Sequence, residues 1–112
     1  MTLTMKHEMK EEKHLIRCHG RVDAASATLL EKKMNELVKE HEKWLFLDFH
    51  DVNYLSSAGM RVLLSMTKKL KARDGGLLIF HVKPDIMEII KMAGFERILR
   101  IFSTEKDAFS AR

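Results

Sequence analysis

Two adjacent serines, Ser56 and Ser57, lie at the predicted start of an amphipathic helix, directly after a short polar loop. The first N–H groups of a helix have no partner within it, and the helix dipole places partial positive charge at that end. A serine there either caps the helix or carries a phosphate that the helix end stabilises. The first role would make the site structural, and the second would make it a site of modification.

A catalytic nucleophile is a third role for this serine pair. A nucleophile elbow needs glycine two residues before the serine as well as two residues after it. Gly59 meets the second condition for Ser57, but Leu55 occupies the position where the first glycine is needed. A small hydrolase or phosphate-binding enzyme built on Ser57 therefore remains an alternative without motif support.

Asp48 and Asp51 follow a predicted strand, which is where open α/β sheets place their active sites. They could suggest a metal-dependent phospho-acceptor like that of a response regulator. Such a domain also needs an acidic pair after its first strand and a lysine after its last. The first strand supplies only Glu8, and only Lys83 follows the strand at 77–82. The sequence therefore gives little support to a receiver domain.

No sequence pattern points to a cofactor or a metal. The chain has neither GxGxxG nor a Walker lysine loop, so nucleotide binding has no motif support. Cys18 lies in an apolar strand, where a free cysteine is usually a small buried hydrophobe. The six histidines form no HExxH or paired CxxC pattern and are predicted to be surface or rim residues. They are His7, His14, His19, His41, His50 and His81.

Length and charge restrict the classes of function. The 112 residues predict one domain, 1–112, with a core of its own. The net charge is +4, and lysines alternate with glutamates, so no basic stripe for nucleic acid is present. No apolar run approaches membrane-spanning length, and the single cysteine fits a reducing compartment. We therefore expect a cytoplasmic monomer that binds neither nucleic acid nor a membrane.

Strand-like and helix-like segments alternate along the chain. A charged turn joins the first two strands, which predicts a hairpin. The alternation that follows predicts a mixed, mostly parallel α/β sheet, with a connection at 20–23 and a polar loop at 50–55. Strands are predicted at 3–8, 14–19, 44–49, 77–82 and within 95–101, and helices at 24–41, 57–72 and 84–93, with a last helix capped by Ser103 or Thr104.

Five sequence blocks occur in an order that is more specific than any one of them. They read GRVDAA at 20–25, LDF at 47–49, YLSSAGMRVLL at 54–64, DGG at 74–76 and IIKMAGF at 89–95. With these blocks, the chain from about residue 20 onward resembles the STAS domain, specifically the bacterial anti-sigma factor antagonists. The weakly patterned first strand also fits that family, whose first hairpin is variable.

The resemblance implies a single STAS domain of the α/β class, with a mixed sheet of four or five strands and about four helices packed mainly on one side. It also implies a phosphoswitch in a protein that is not an enzyme. The unphosphorylated antagonist binds an anti-sigma factor, which is a serine kinase, and thereby releases a sigma factor. The kinase phosphorylates the antagonist, and a serine phosphatase reverses the modification.

The family phosphorylates the serine two residues before the glycine, which in this sequence is Ser57. Ser56 and Ala58 stand where the family often has aspartate and a hydroxyl residue, so Ser56 is a rival acceptor. Asp23 is expected at the same edge, as a partner contact or as a helix cap. Arg61, one turn beyond Ser57, is either an interface contact or a solvated charge. The residues predicted to bind the partner are Asp23, Ser56, Ser57, Ala58, Gly59 and Arg61.

A different role for the same fold is the main alternative. A STAS module can serve as a scaffold or adaptor subunit of a stress-signalling assembly, or as a component of a lipid-transport system. Such a protein would have no phosphoswitch, and its partner would be found by a pull-down.

Overall fold

The computed structural model describes residues 2–38 and 42–112. These residues form a five-stranded sheet in the order β1-β2-β3-β4-β5, antiparallel between β1 and β2 and parallel elsewhere, with four helices. The predicted fold class is therefore confirmed. The elements are β1 (Thr4–Lys10), β2 (Lys13–Val22), α1 (Ala24–Leu37), β3 (Trp44–Leu55), α2 (Ser57–Lys71), β4 (Gly76–Phe80), α3 (Pro84–Met92), β5 (Arg100–Phe102) and α4 (Glu105–Ser110).

Three helices cover one face of the sheet, and the short α4 covers part of the other. Side chains from α1, α2 and α3 pack with the inward residues of the strands in the larger core cluster. On the opposite face, Phe109 of α4 meets Phe46 edge to face, with ring centroids 4.9 Å apart. The helices are therefore packed mainly on one side of the sheet, as predicted.

The connection predicted at 20–23 is wrong, because β2 continues through Val22 and only Asp23 lies outside it. Gly20 is part of the strand and has a φ of +113°. A Cβ atom at this position would lie 2.4 Å from the carbonyl oxygen of Thr2. The glycine is therefore needed where the N-terminal segment crosses β2, although its type indicated a turn.

The polar loop predicted at 50–55 is also wrong, because β3 runs on to Leu55. Twice in this stretch β3 uses one residue more than β2 in the pairing register, which is the mark of a β-bulge. Each extra residue changes which side chains point inward. Phe49, Val52 and Leu55 are consequently all buried in one cluster although they are spaced by three. An interval of three does not look like a strand in a sequence, whose side chains normally alternate.

The helices begin as predicted, and α2 and α3 each end one residue before the predicted end. Helix α1 ends at Leu37, and the part of its predicted range at 39–41, including His41, lies outside the described residues. Thr104 caps α4 by accepting a hydrogen bond from the Asp107 amide. Cys18 is buried, as predicted, and this burial, together with the nearby Asp48, raises the pKa of its thiol to about 12. None of the helices in the described ranges has the length and apolar character needed to cross a membrane.

Candidate functional site

The candidate site lies where β2 and β3 end side by side. Val22 pairs with Leu55 in the last step of the register, and the Ser56 amide donates a hydrogen bond to the Val22 carbonyl at 2.8 Å. Helix α1 begins directly after Val22 and its cap, and α2 begins directly after Leu55 and its cap. Two helix N-termini, each with partial positive charge, are therefore neighbours at this edge of the sheet.

The start of α1 is closed by a reciprocal pair of hydrogen bonds. The Asp23 carboxylate accepts from the Ser26 amide at 2.9 Å, and the Ser26 hydroxyl lies 2.9 Å from the Asp23 amide, which donates to it. Ser26 is buried, and its Oγ also donates to the Arg21 carbonyl at 2.7 Å. The Ser26 amide lowers the pKa of Asp23 below its usual value. Asp23 is thus the N-cap of α1, and its contact with a partner stays a prediction.

The start of α2 has a neutral cap instead. The Oγ of Ser56 accepts a hydrogen bond from the Gly59 amide at 3.1 Å, and the Ser56 side chain is half-buried. The first turn of α2 contains no acidic residue. Within the described part of the chain, the amides of Ser57 and Ala58 have no hydrogen-bond partner. This helix end therefore keeps two free donors and an uncompensated positive dipole.

Ser57 is the first residue of α2 and is exposed. No side chain among the described residues forms a hydrogen bond with its hydroxyl. Arg61 is exposed four residues later, on the same side of the helix. The α2 start therefore presents a free hydroxyl with a cation one turn away, an arrangement that can receive a phosphoryl group.

Gly59 is buried and determines how closely α2 approaches the sheet. A Cβ atom here would lie 2.6 Å from Cγ1 of Val22 and 2.8 Å from Cδ1 of Leu55. Ala58 is half-buried and packs against the same core. Any effect of Gly59 on partner binding is therefore exerted through the position of the helix start.

Arg21 and Tyr54 form a feature of this edge that the sequence analysis missed. They face each other across β2 and β3, and the Arg21 guanidinium carbon lies 4.1 Å from the Tyr54 ring centroid, a cation–π contact. Both side chains are exposed, next to the two helix starts. Their contact follows from strand pairing, and both residues were predicted to lie in connections. The alternation of Arg17, His19 and Arg21 was the available sign that β2 continues.

Asp48 does not have the free carboxylate that a phospho-acceptor needs. It is buried, and Arg17 pairs with one of its oxygens at 2.7 Å. Its other oxygen lies 3.2 Å from Nδ1 of His81 and accepts from the His50 amide at 2.9 Å. In residues 2–38 and 42–112, no group of three or more His, Cys, Asp or Glu side chains is arranged to hold a metal ion.

A family model for the STAS domain matches residues 6–108 of the chain. The chain belongs to the STAS domain family. This STAS domain is 34% identical over 112 residues to BtrV of Bordetella bronchiseptica, a candidate anti-sigma factor antagonist; the match covers 99% of this chain and 94% of the relative. It is 21% identical over 111 residues to an anti-sigma F factor antagonist of Paenibacillus polymyxa, covering 98% and 95%.

Solved structures have the same fold. An anti-sigma factor antagonist from Mycobacterium paratuberculosis matches this STAS domain with a TM-score of 0.88 and 23% identity, covering 98% of this chain and 93% of the other. The phosphorylated form of SpoIIAA, a Bacillus cell fate determinant, matches with a TM-score of 0.72 and 17% identity, covering 97% and 100%. The predicted relationship to anti-sigma factor antagonists is confirmed at the level of family and fold.

Proposed function

We propose that this STAS domain binds an anti-sigma factor kinase when Ser57 is unmodified, and that phosphorylation of Ser57 ends the binding and a phosphatase restores it. The observation that carries the proposal is the exposed hydroxyl of Ser57 at a helix start with free amides and no carboxylate cap. The names of its relatives support the antagonist role. The existence of SpoIIAA in unphosphorylated and phosphorylated forms supports a switch on this fold.

Ser57 is a better acceptor than its neighbour Ser56. The Ser56 hydroxyl is half-buried and is bound to the Gly59 amide. A kinase that modified Ser56 would have to break this cap, which is worth about 1 kcal/mol in a typical helix. Ser57 is exposed and requires no such change.

Phosphorylation of Ser57 should leave the fold intact. A phosphoryl group adds about −1.5 to −2 charges and three strong acceptor oxygens. The free amides of the α2 start and the positive end of the helix dipole offset that charge. Arg61 lies one turn away and provides a further compensating cation. The modification therefore acts mainly on what the surface can bind.

The effect on the partner is expected to be large. A partner surface that covers the neutral Ser57 hydroxyl would have to bury a dianion without a matching cation, which is costly. The surface that such a partner would meet includes Asp23, Ser56 and Arg61, with Arg21 and Tyr54 beside them. We assign these residues to the interface together with Ser57.

The proposal is tested by calorimetric titration with the anti-sigma factor kinase from the same genome. We expect Ser57→Asp to weaken binding about 100-fold, which is about 2.7 kcal/mol. Ser65→Asp places the same charge on an exposed serine two turns along α2 and should bind like the wild type. Both variants should keep the wild-type circular dichroism spectrum. Undiminished binding by Ser57→Asp would instead favour a STAS scaffold or adaptor without a phosphoswitch.

A further inference from the structure

A cavity of about 340 Å³ lies at the end of α2 that is opposite to Ser57. Fifteen helical residues separate the two ends, a length of about 20 Å. The volume is within the usual range of small-molecule pockets, roughly 300–1,000 Å³. Apart from Gly75 and Gly76, the residues that line the cavity come from α2, from the start of β4 and from the segment that leads into β5. They are Thr67, Lys71, Leu77, Arg97, Ile98 and Arg100.

Thr67 lies in the wall of this cavity, and its hydroxyl is buried without a partner among the described residues. Thr67 is 6% exposed, and among the residues that the structure describes its Oγ1 has no hydrogen-bond partner. A threonine within a helix often donates to the carbonyl of the preceding turn, but this one does not. A buried hydroxyl in this state destabilises the free protein, and a rotation about χ1 that turned it toward the cavity would let an acceptor atom of a bound molecule satisfy it.

The charge at the cavity is positive. Lys71, Arg97 and Arg100 line it, and no carboxylate does. In the described ranges, none of these three cations is within ion-pair distance of an acidic side chain. Arg100 donates one hydrogen bond, to the Ala111 carbonyl at 3.2 Å, and its other donors remain available. Unpaired cations around a concave wall attract anions.

The backbone around the cavity is already engaged. The Gly75 amide donates to the Leu70 carbonyl, and the Gly76 amide donates to the Lys43 carbonyl. A Cβ atom on Gly75 would lie 1.8 Å from that same Lys43 oxygen, so the glycine is required by a close chain crossing. Recognition of a ligand must therefore come from the side chains.

We propose that this cavity binds a small organic anion. The oxyanion group, a phosphate or a carboxylate, would pair with the three cations, since arginine matches both groups in a two-pronged geometry. After rotation about χ1, the Thr67 hydroxyl would donate a hydrogen bond to an acceptor atom of the ligand. The apolar part of the molecule would lie against Ile98, which is exposed. The cavity is separate from the α2 start, because none of its lining residues belongs to that first turn.

The test is a titration of the ¹⁵N-labelled full chain with phenyl phosphate, benzoate and phenol at constant ionic strength, followed by amide chemical shifts. The three probes share a ring and differ in the group attached to it. We expect saturable shifts at Gly75, Leu77 and Ile98 with at least one anion, at about tenfold higher affinity than phenol. The better anion identifies phosphate or carboxylate as the natural group. No saturable shift at millimolar concentration, or equal affinity for phenol, would overturn the proposal.

Variants distinguish anion binding in this cavity from a general attraction of anions to a basic protein. Arg97→Gln and Arg100→Gln should each weaken binding of the better anion several-fold, while Arg73→Gln, an exposed arginine outside the cavity, should not. Thr67→Val should weaken binding and also raise the thermal midpoint of the free protein, because it removes an unpaired buried hydroxyl. Equal weakening by Arg73→Gln, or unchanged affinity in Thr67→Val, would refute the assignment.

Discussion

The starts of α1 and α2 are neighbours that use the same helix-end chemistry in opposite ways. Each follows the end of a parallel strand, and each is capped by the side chain of the residue before it. Asp23 provides a permanent carboxylate to α1, and Ser26 completes a capping box with it. Ser56 provides a neutral hydroxyl to α2, and the next residue, Ser57, is exposed. The charge is permanent at α1, whereas in the proposed switch it is added at α2 and removed again.

The third helical residue explains why the two starts differ. In α1 this residue is Ser26, whose hydroxyl completes the capping box. In α2 it is Gly59, which packs so closely against Val22 that no side chain fits. The close approach of α2 to the sheet therefore rules out a full capping box there and leaves the first turn open to an external anion.

The largest expected effect comes from making the α2 start resemble the α1 start. Gly59→Ser would complete the pattern of a capping box, yet we expect it to destabilise the protein by about 1–3 kcal/mol through overpacking against Val22 and Leu55. Urea unfolding measures the change, with Ala25→Ser in the exposed first turn of α1 as the control. A gain in stability in Gly59→Ser would mean that packing does not distinguish the two starts.

Removing each of the two serines of the α2 start should change the stability of the protein by a different amount. Ser56→Ala loses the cap to the Gly59 amide and should cost about 1 kcal/mol. Ser57→Ala removes an exposed hydroxyl and should stay within about 0.5 kcal/mol of the wild type. Denaturant midpoints compare them directly. The reverse order would make Ser57 the structural serine.

Acid should weaken the contribution of the α1 cap to stability and leave that of the α2 cap unchanged. Hydrogen bonds in the native state lower the pKa of Asp23, so its contribution to stability is complete above its unfolded value of about 3.9 and is lost as pH falls through the lower folded pKa. Asp23→Asn keeps an acceptor but cannot titrate. Thermal unfolding from pH 6 to acid should therefore show a smaller acid loss in Asp23→Asn than in wild type, whereas Ser56→Ala should parallel wild type. Parallel curves for Asp23→Asn would contradict this account of the cap.

The smallest effect expected is on the stability of the unbound protein when charge is added at position 57. Ser57→Asp should gain about 0.3–1 kcal/mol at low ionic strength, because a carboxylate enters the open first turn of α2. Salt should remove the gain. Ser65→Asp, in the middle of the same helix, should show no gain. A loss of stability in Ser57→Asp would mean that the α2 start is not available to an anion.

The sequence was informative where local chemistry decides the structure. The hydroxyl and acidic caps, Pro84 and the 3.6-residue periodicity located the starts of α1, α2 and α3 and limited the cap of α4 to Ser103 or Thr104, and the ordered blocks identified the family. The sequence was least informative where a long-range contact decides the structure. The bulges of β3 reverse side-chain parity, so Val52 and Leu55 did not look like strand residues. Likewise, the sequence allows either Ser56 or Ser57 as the cap. The hydrogen bond from the Ser56 amide to the Val22 carbonyl holds Ser56 in the cap position, where its hydroxyl accepts from the Gly59 amide.

The central claim is that the serine next to the cap, and not the cap itself, receives the phosphate. Incubation of wild type, Ser56→Ala and Ser57→Ala with the anti-sigma factor kinase and ATP, followed by mass spectrometric mapping, tests it most directly. The account predicts one phosphate at Ser57 in the wild type and in Ser56→Ala, and none at this helix start in Ser57→Ala. Phosphate at Ser56 in the wild type, or no modification of either serine, would contradict it.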